Sequence, residues 1–366
     1  MTTRRTLIAG ALLGAASAGF PAAAAGTGAR RPLVIAHRGA SGERPEETRL
    51  AYELAIDQGA DFIEPDLTPT KDGHLVCRHE PEIGGTTDVA NHPEFADRKR
   101  PCVIDGETVT GWFTQDFTLA ELKTLRCRER LPQIRPQSAT YDGQAQILTF
   151  QEVIDIARKG SARTGRRIGV YPEMKHPSVF ASIGLPLEGR LASILKANGL
   201  NSPSAPVFVQ CFEVGPLKTF SRLSSARRVQ LIDKTGGPAD LSGQTYAQMI
   251  TPEGLKAVRA YADAIGPNQG LVLDLAASPR PVPTRLVADA HAQGLKVHCW
   301  TARKENLFLP KSLQIGDPAA ADFAGQAGNI EALLNSLYAA GVDGVFSDFT
   351  GVNYRARARF LSSQKA

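Results

Sequence analysis

Phe62-Ile63-Glu64-Pro65-Asp66-Leu67-Thr68-Pro69-Thr70-Lys71-Asp72-Gly73-His74-Leu75-Val76-Cys77-Arg78-His79 holds two apolar, strand-like runs with a turn between them. Only the seven residues 68–74, centred on Lys71-Asp72-Gly73, separate Leu67 from Leu75. A parallel crossover needs about a dozen residues or more, so the second run folds back beside the first as an antiparallel hairpin. This matters because the rest of the chain repeats strand and helix. Candidate strands cover 33–36, 62–67, 75–79, 168–173, 207–212, 229–232, 264–266, 297–300 and 344–347. Between most of them lie segments of helical period: Leu50, Leu54 and Ile56 in 47–58; Phe150, Val153, Ile154 and Ala157 in 150–159; Ile330, Leu333, Leu334 and Leu337 in 329–340. Thr149, Pro252 and Pro283 fall where helices would start. With one of the nine strands assigned to the hairpin, eight β–α units remain, and these predict an α/β (β/α)₈ barrel of the TIM type over residues 31–350.

Two segments interrupt the pattern. Residues 81–147 lack sustained periodicity and hold Gly84-Gly85, several prolines and Asp97-Arg98-Lys99-Arg100. A structureless loop of that length is improbable inside a compact domain, so they read as a small inserted subdomain. In a barrel such an insertion at a strand's C-terminal end helps shape the pocket. Residues 352–366 read as a polar tail.

The 366 residues carry 42% hydrophobic and 22% charged side chains, as in ordinary globular proteins. The net charge is +5, and without Arg4 and Arg5 it falls to +3, with 40 basic against 37 acidic residues. That weak, dispersed excess, with no basic-aromatic stripe, argues against nucleic acid as a partner. At the start, Arg4-Arg5 precede an apolar run from Leu7 to Phe20, then Pro21 and an alanine tract. Residues 1–25 therefore read as an export signal, and Thr3-Arg4-Arg5-Thr6-Leu7 resembles the twin-arginine type. No other stretch is long and apolar enough to span a bilayer, so the expectation is a periplasmic or secreted protein without a transmembrane segment. Of five cysteines, Cys77, Cys211 and Cys299 lie in strand-like runs and read as buried hydrophobes, while Cys102 and Cys127 could pair.

The polar residues that close these strands carry the chemistry. Glu64 and Asp66 are two apart on one strand, so both side chains point to the same side. Two such carboxylates at a barrel mouth repel unless a cation sits between them, and hard oxygen ligands suit Ca²⁺ or Mg²⁺. Glu173 closes another apolar strand with Lys175 on its face. A divalent cation and a phosphate would satisfy that pair, although a Glu–Lys pair on a surface loop has the same spelling. His37 and His79 also close strands. Cleaving a phosphodiester needs one group to take the proton of the attacking oxygen and another to protonate the leaving alcohol, and imidazole suits both. Arg38 can meet a phosphate oxygen bidentately, and Gly39 permits close backbone approach. His74, His92, His176, His291 and His298 receive no role.

The runs His37-Arg38-Gly39-Ala40-Ser41-Gly42, Pro45-Glu46-x-Thr48, Gly59-Ala60-Asp61, Glu64-x-Asp66, Thr70-Lys71-Asp72-Gly73 and Val76-x-x-His79 resemble the glycerophosphodiester phosphodiesterase family. The resemblance continues at Glu173-Met174-Lys175, Gln210-Cys211-Phe212, Trp300-Thr301 and Asp343-Gly344 to Ser347-Asp348. The export signal and the long insertion resemble its periplasmic, calcium-using branch. The resemblance implies a TIM barrel that hydrolyses deacylated phospholipids to glycerol 3-phosphate and an alcohol. It implies His37 and His79 as catalytic residues and Glu64, Asp66 and Glu173 as ligands of a divalent cation, Ca²⁺ first and Mg²⁺ as the alternative. It further implies Arg38 and Lys175 near the substrate phosphate, Trp300 as an aromatic wall, and Glu46 close to the site. The rival readings are a lysophospholipase D or phospholipase C-like lipid phosphodiesterase, and a non-catalytic phosphodiester-binding protein.

Three departures stand out. His-Asp of the family is His79-Glu80 here, whose extra methylene could move a hydrogen bond beside the histidine. Pro-Glu-Asn-Thr is Pro45-Glu46-Glu47-Thr48, which puts a negative charge at a helix start, where the dipole tolerates it. Cys211 stands where serine is frequent.

Overall fold

A computed structural model of the chain describes residues 31–277 and 281–364. The expected export signal, residues 1–25, lies outside the described residues. Eight parallel barrel strands follow one another: β1 Leu33–His37, β2 Phe62–Glu64 continuing as Asp66–Pro69, β3 Gly169–Val170 continuing as Glu173–Met174, β4 Phe208–Cys211, β5 Arg227–Ile232, β6 Ala264–Pro267, β7 Lys296–Ala302 and β8 Gly344–Ser347. The interruptions of β2 and β3 contain Pro65 and Pro172, and proline has no N–H to give a ladder.

The pairing closes a ring. β1 pairs with β8 on one side and with β2 on the other, and β2 pairs with β3 through both stretches, Phe62↔Gly169 and Asp66↔Glu173. From β3 the ladders run in order through β4, β5, β6 and β7 back to β8. A helix follows each strand: α1 Arg49–Asp57, α2 Phe150–Thr164, α3 Glu188–Ala197, α4 Val214–Leu223, α5 Pro252–Arg259, α6 Leu286–Ala292, α7 Ile330–Ala339 and α8 Thr350–Ser363. This is the (β/α)₈ barrel expected from the strand count. Ile35, Phe62, Tyr171, Phe208, Val229, Ala264 and Phe346 pack inside it, and a larger apolar shell lies between strands and helices.

Leu75–Cys77 runs antiparallel to the second stretch of β2, with Leu67↔Cys77 and Pro69↔Leu75 opposed, as the short turn required. Thr149 caps α2 reciprocally with Glu152, and Pro252 opens α5 behind the cap Thr251. Residues 81–147 hold short 3₁₀ and α turns, the hairpin Arg100–Ile104 with Glu107–Gly111, and an apolar cluster around Ile83, Phe95, Phe117 and Ile147.

Pro283 lies shortly before α6, which begins at Leu286, and itself belongs to Val282–Pro283, paired with Leu273–Asp274. Two expectations change. The C-terminal segment is no tail but α8, whose buried face includes Thr350, Asn353 and Arg357. Arg357 donates to the carbonyl of Pro32 at 2.9 Å and pairs with Asp61, so a buried charge is satisfied where an apolar stripe would usually be sought. Finally, all five cysteines are free; Cys127 lies buried and accepts a hydrogen bond from Arg78.

Candidate active site

Strand register does most of the assembly. His37 lies across from Glu64, Asp66 across from Glu173, and Glu173 across from Gln210, all at the C-terminal ends of their strands. After β1 the backbone turns sharply, with Arg38 at φ 57° and Gly39 at φ 85°. A Cβ on Gly39 would come within 2.6 Å of the Ala51 backbone, so only glycine fits this turn. The turn aims the Arg38 N–H at Glu64 Oε2, 2.9 Å away. It also sends the guanidinium between Asp66, at 2.9 Å, and Glu46, at 3.1 Å.

Glu64, Asp66 and Glu173 converge with one carboxylate oxygen each inside a span of 4.8 Å, and all three are buried. Burial and the neighbouring carboxylates Asp66 and Glu47 push Glu64 well above the usual range. Burial raises Glu173 to about 7, with Asp66 adding to the shift and Lys175 opposing it. For Asp66 burial also opposes ionisation, but the Arg38 and Lys175 cations outweigh it and hold the group low. Asp66 Oδ2 faces the Arg38 guanidinium, while Gln210 Oε1 is a buried oxygen that accepts no hydrogen bond. Lys175 Nζ sits 3.0 Å from Glu173 Oε1. An all-oxygen set with repelling carboxylates fits a hard divalent cation.

The two histidines are each held through Nδ1. His37 Nδ1 is 2.7 Å from Asp348 Oδ1, and His79 Nδ1 is 2.6 Å from Glu80 Oε1. The longer side chain at position 80 therefore still reaches its histidine. Burial, followed by the Arg38 cation, lowers His37 to about 4 against the pull of Asp348. Burial, Arg38 and Lys175 hold His79 well below its ordinary value. Both shifts favour the neutral imidazole, and Nε2 of each ring is left to exchange protons. They share with Arg38, Glu64, Glu173 and Lys175 a cavity of about 410 Å³. Trp300 forms part of its wall, its Nε1–H donating to the Gly266 carbonyl at 2.7 Å and its ring edge-to-face with Phe212 at 5.7 Å. Glu46 stands behind Arg38 rather than in the cavity lining. Burial resists its ionisation, but Arg38 and Arg130 bring it down to about 2.

The structure brings together every site residue read from the sequence and adds others. Gln210 donates to Glu64 Oε1 at 2.9 Å. Asp348, after β8, also accepts from Arg303 at 2.8 Å and from Arg135 at 2.6 Å. Arg135 is buried and further donates to Glu305 at 2.7 Å, and Arg130 donates to Glu46 at 3.1 Å. The signal for Asp348 was a charge closing an apolar strand; Arg130 and Arg135, in the aperiodic insertion, offered none. Glu47 corrects an expectation. It does not face the dipole of α1 but is fully buried at φ 62°, accepting the Asp66 N–H at 2.8 Å and pairing with the Tyr52 hydroxyl. Burial and Asp66 push its carboxyl up. Cys211 is buried and accepts the Glu213 N–H at 3.3 Å.

Residues 37–352 match the model of the glycerophosphoryl diester phosphodiesterase family. A glycerophosphodiester phosphodiesterase of Arabidopsis thaliana is 38% identical over 333 residues, covering 88% of this chain and 84% of the relative. One from Haemophilus influenzae is 31% identical over 350 residues, covering 88% and 89%. Among solved structures, a phosphodiesterase of Oleispira antarctica in complex with the product sn-glycerol-3-phosphate superposes with a TM-score of 0.57 at 21% identity, covering 89% and 96%. A glycerophosphodiester phosphodiesterase from Agrobacterium tumefaciens does so at 0.56 and 17%, covering 88% and 99%. A match across nearly the whole barrel, with the strand-end residues in register, leaves one assignment: the chain belongs to the glycerophosphoryl diester phosphodiesterase family.

Proposed function

We propose that this enzyme hydrolyses glycerophosphodiesters to glycerol 3-phosphate and an alcohol, using a divalent cation and the histidine pair His37 and His79. The observation that carries the reading is the shared cavity. A buried carboxylate triad, two cations and two imidazoles line or adjoin one space of about 410 Å³. Glu64, Asp66 and Glu173 would hold the cation, Ca²⁺ or Mg²⁺, which when bound supplies Lewis-acid stabilisation of a phosphoryl oxygen. Arg38 and Lys175 face the same oxygens and offset the charge that builds in the transition state. Asp348 accepts the Nδ1–H of His37, which fixes its tautomer and leaves Nε2 for the substrate, and Glu80 lies 2.6 Å from His79 Nδ1. One Nε2 takes the proton of the attacking hydroxyl or water; the other ring enters the step as the imidazolium and gives its Nε2 proton to the leaving alcohol. Trp300 and Phe212 give the glycerol end an apolar wall and exclude water.

The test is alcohol release from glycerophosphocholine by the wild type, His37→Ala and His79→Ala, with and without chelator. We expect each substitution to lower kcat by 100-fold or more, since acid–base groups contribute roughly 10²–10⁴, and chelation to stop turnover. Activity surviving both substitutions removes the histidine mechanism, and full activity in chelator removes the cation. A second reading, a lipid phosphodiesterase, draws on Leu307, which is 56% exposed where it lines the cavity. Faster turnover of an acylated lysophospholipid than of its deacylated counterpart would favour it. The signal-like residues 1–25 support a periplasmic or secreted location, and no helix among the described residues is long and apolar enough to cross a membrane.

A further inference from the structure

The floor and the rim of the cavity have different chemistry. The floor comes from strand ends and carries the carboxylate triad; a hard cation held there would also suit the hydroxyls of glycerol. The rim comes from loops: Glu80, Arg130 and Leu131 from the segment after the β2 hairpin, and Arg303, Leu307 and Phe308 after β7. Arg130 spends its Nε on Glu46 at 3.1 Å, and Arg303 spends its Nε on Asp348 at 2.8 Å. Neither guanidinium has a partner for its terminal Nη nitrogens among the described residues. Both are preset rather than loose. Glu46 is itself gripped by Arg38, and the Arg303 guanidinium lies over the Phe308 ring at 4.7 Å. Their side chains are only 33% and 21% exposed, and the apolar neighbours strengthen any ion pair they make. One carboxylate shares the rim, Glu80, and it is bound to His79.

We infer that Arg130 and Arg303 form an anion subsite for the departing alcohol, selecting glycerophosphodiesters whose head group carries its own negative charge. The inference rests on the activity proposed above. A diester has two ends: with its phosphate at Arg38 and Lys175 and its glycerol toward the triad, the other end meets the rim. There a carboxylate finds two pre-oriented forks of N–H donors, whereas a quaternary ammonium meets two like charges.

Glycerophosphoserine and glycerophosphoethanolamine differ by one carboxylate and so isolate the effect. The expected kcat/KM ratio of serine to ethanolamine substrate is about tenfold or more in the wild type, the scale of one charge-assisted hydrogen bond. It should fall several-fold in Arg130→Gln and in Arg303→Gln. Because Arg303 also holds Asp348, both rates drop in that variant, and only the ratio reports the subsite. Calorimetric binding of the same two compounds to His37→Ala gives the preference without turnover. If no diester is hydrolysed yet serine is still bound tighter through Arg130, the activity fails and the subsite stands. A wild-type ratio of one or below overturns the subsite, as does a ratio that both arginine variants leave unchanged.

Discussion

Asp348 reaches His37 across 311 residues of chain, with a 2.7 Å bond to Nδ1. Burial opposes its ionisation, yet Arg303 and Arg135 hold the carboxyl well below the usual carboxylate range, so it remains a charged acceptor at every working pH. On the mechanism proposed above, such an acceptor would position His37 rather than carry protons. Asp348→Asn keeps the size of the side chain and removes the charge that fixes the imidazole tautomer. We expect kcat to fall by roughly 100-fold or more while KM changes only a few-fold. Steady-state kinetics on glycerophosphocholine reads the split, and an unchanged kcat would show that His37 needs no such anchor. At this scale the residues that end apolar strands were legible, because a charge there interrupts a buried run. Arg135 and Glu305 were not: they meet over 170 residues of separation, and no local pattern encodes such a contact. Glu47 was visible as a departure but misjudged, because only the fold shows that its backbone turns the carboxyl beneath Asp66.

β7 runs from the inside of the barrel to its mouth, and His298 and Trp300 mark the two levels. His298 packs edge-to-face on Tyr171 and Phe208, with Nδ1 2.7 Å from the Tyr171 hydroxyl. Burial lowers it to about 4, with Asp343 opposing and Arg227 adding to the shift. Unfolded, it titrates near its ordinary 6.5. Between those values the unfolded chain binds the extra proton, so stability falls as pH drops from 6.5 toward 4 and is unaffected by this group above 6.5. By linkage the loss at pH 4.5 is about 2 kcal/mol. Urea titrations at pH 7 and pH 4.5 should show the difference shrinking by about that amount in His298→Phe. An unaltered difference would place the acid sensitivity elsewhere, in His37 or His79. Among elements, the long apolar strands and the helices with an apolar stripe were legible from periodicity. α8 was hidden because its buried face is Thr350, Asn353 and Arg357, which spell a surface. The subdivision of β2 and β3 was hidden because a proline breaks the ladder without breaking the apolar run.

For the whole molecule, the carboxylate triad is a stored repulsion. It joins β2 to β3, so relieving it stabilises the barrel as well as the site. A cation that binds only the folded chain adds about 2.7 kcal/mol at a hundred times its dissociation constant. Thermal unfolding followed with and without Ca²⁺, and again with Mg²⁺, should show Tm rising by several degrees in the wild type. Glu173→Gln should abolish most of the rise. A Tm indifferent to either ion would contradict the assignment of the triad, and this measurement is independent of turnover. The barrel class was legible at this scale by counting strands and finding one turn too short for a crossover. The insertion was legible only as an interruption, since what it brings to the site, Arg130, Leu131 and Arg135, lies in a stretch without period.

The bond between β1 and the residue after β8 also sets a clock. A ribosome makes His37 early and Asp348 only when 311 more residues have been added. Until then the histidine lacks its anchor, and β1 lacks one of its two neighbours. On the mechanism proposed above, efficient turnover is expected to begin only when the ring has shut. Recovery of activity after dilution from denaturant would then time barrel closure itself, with the enzyme's own product as the readout.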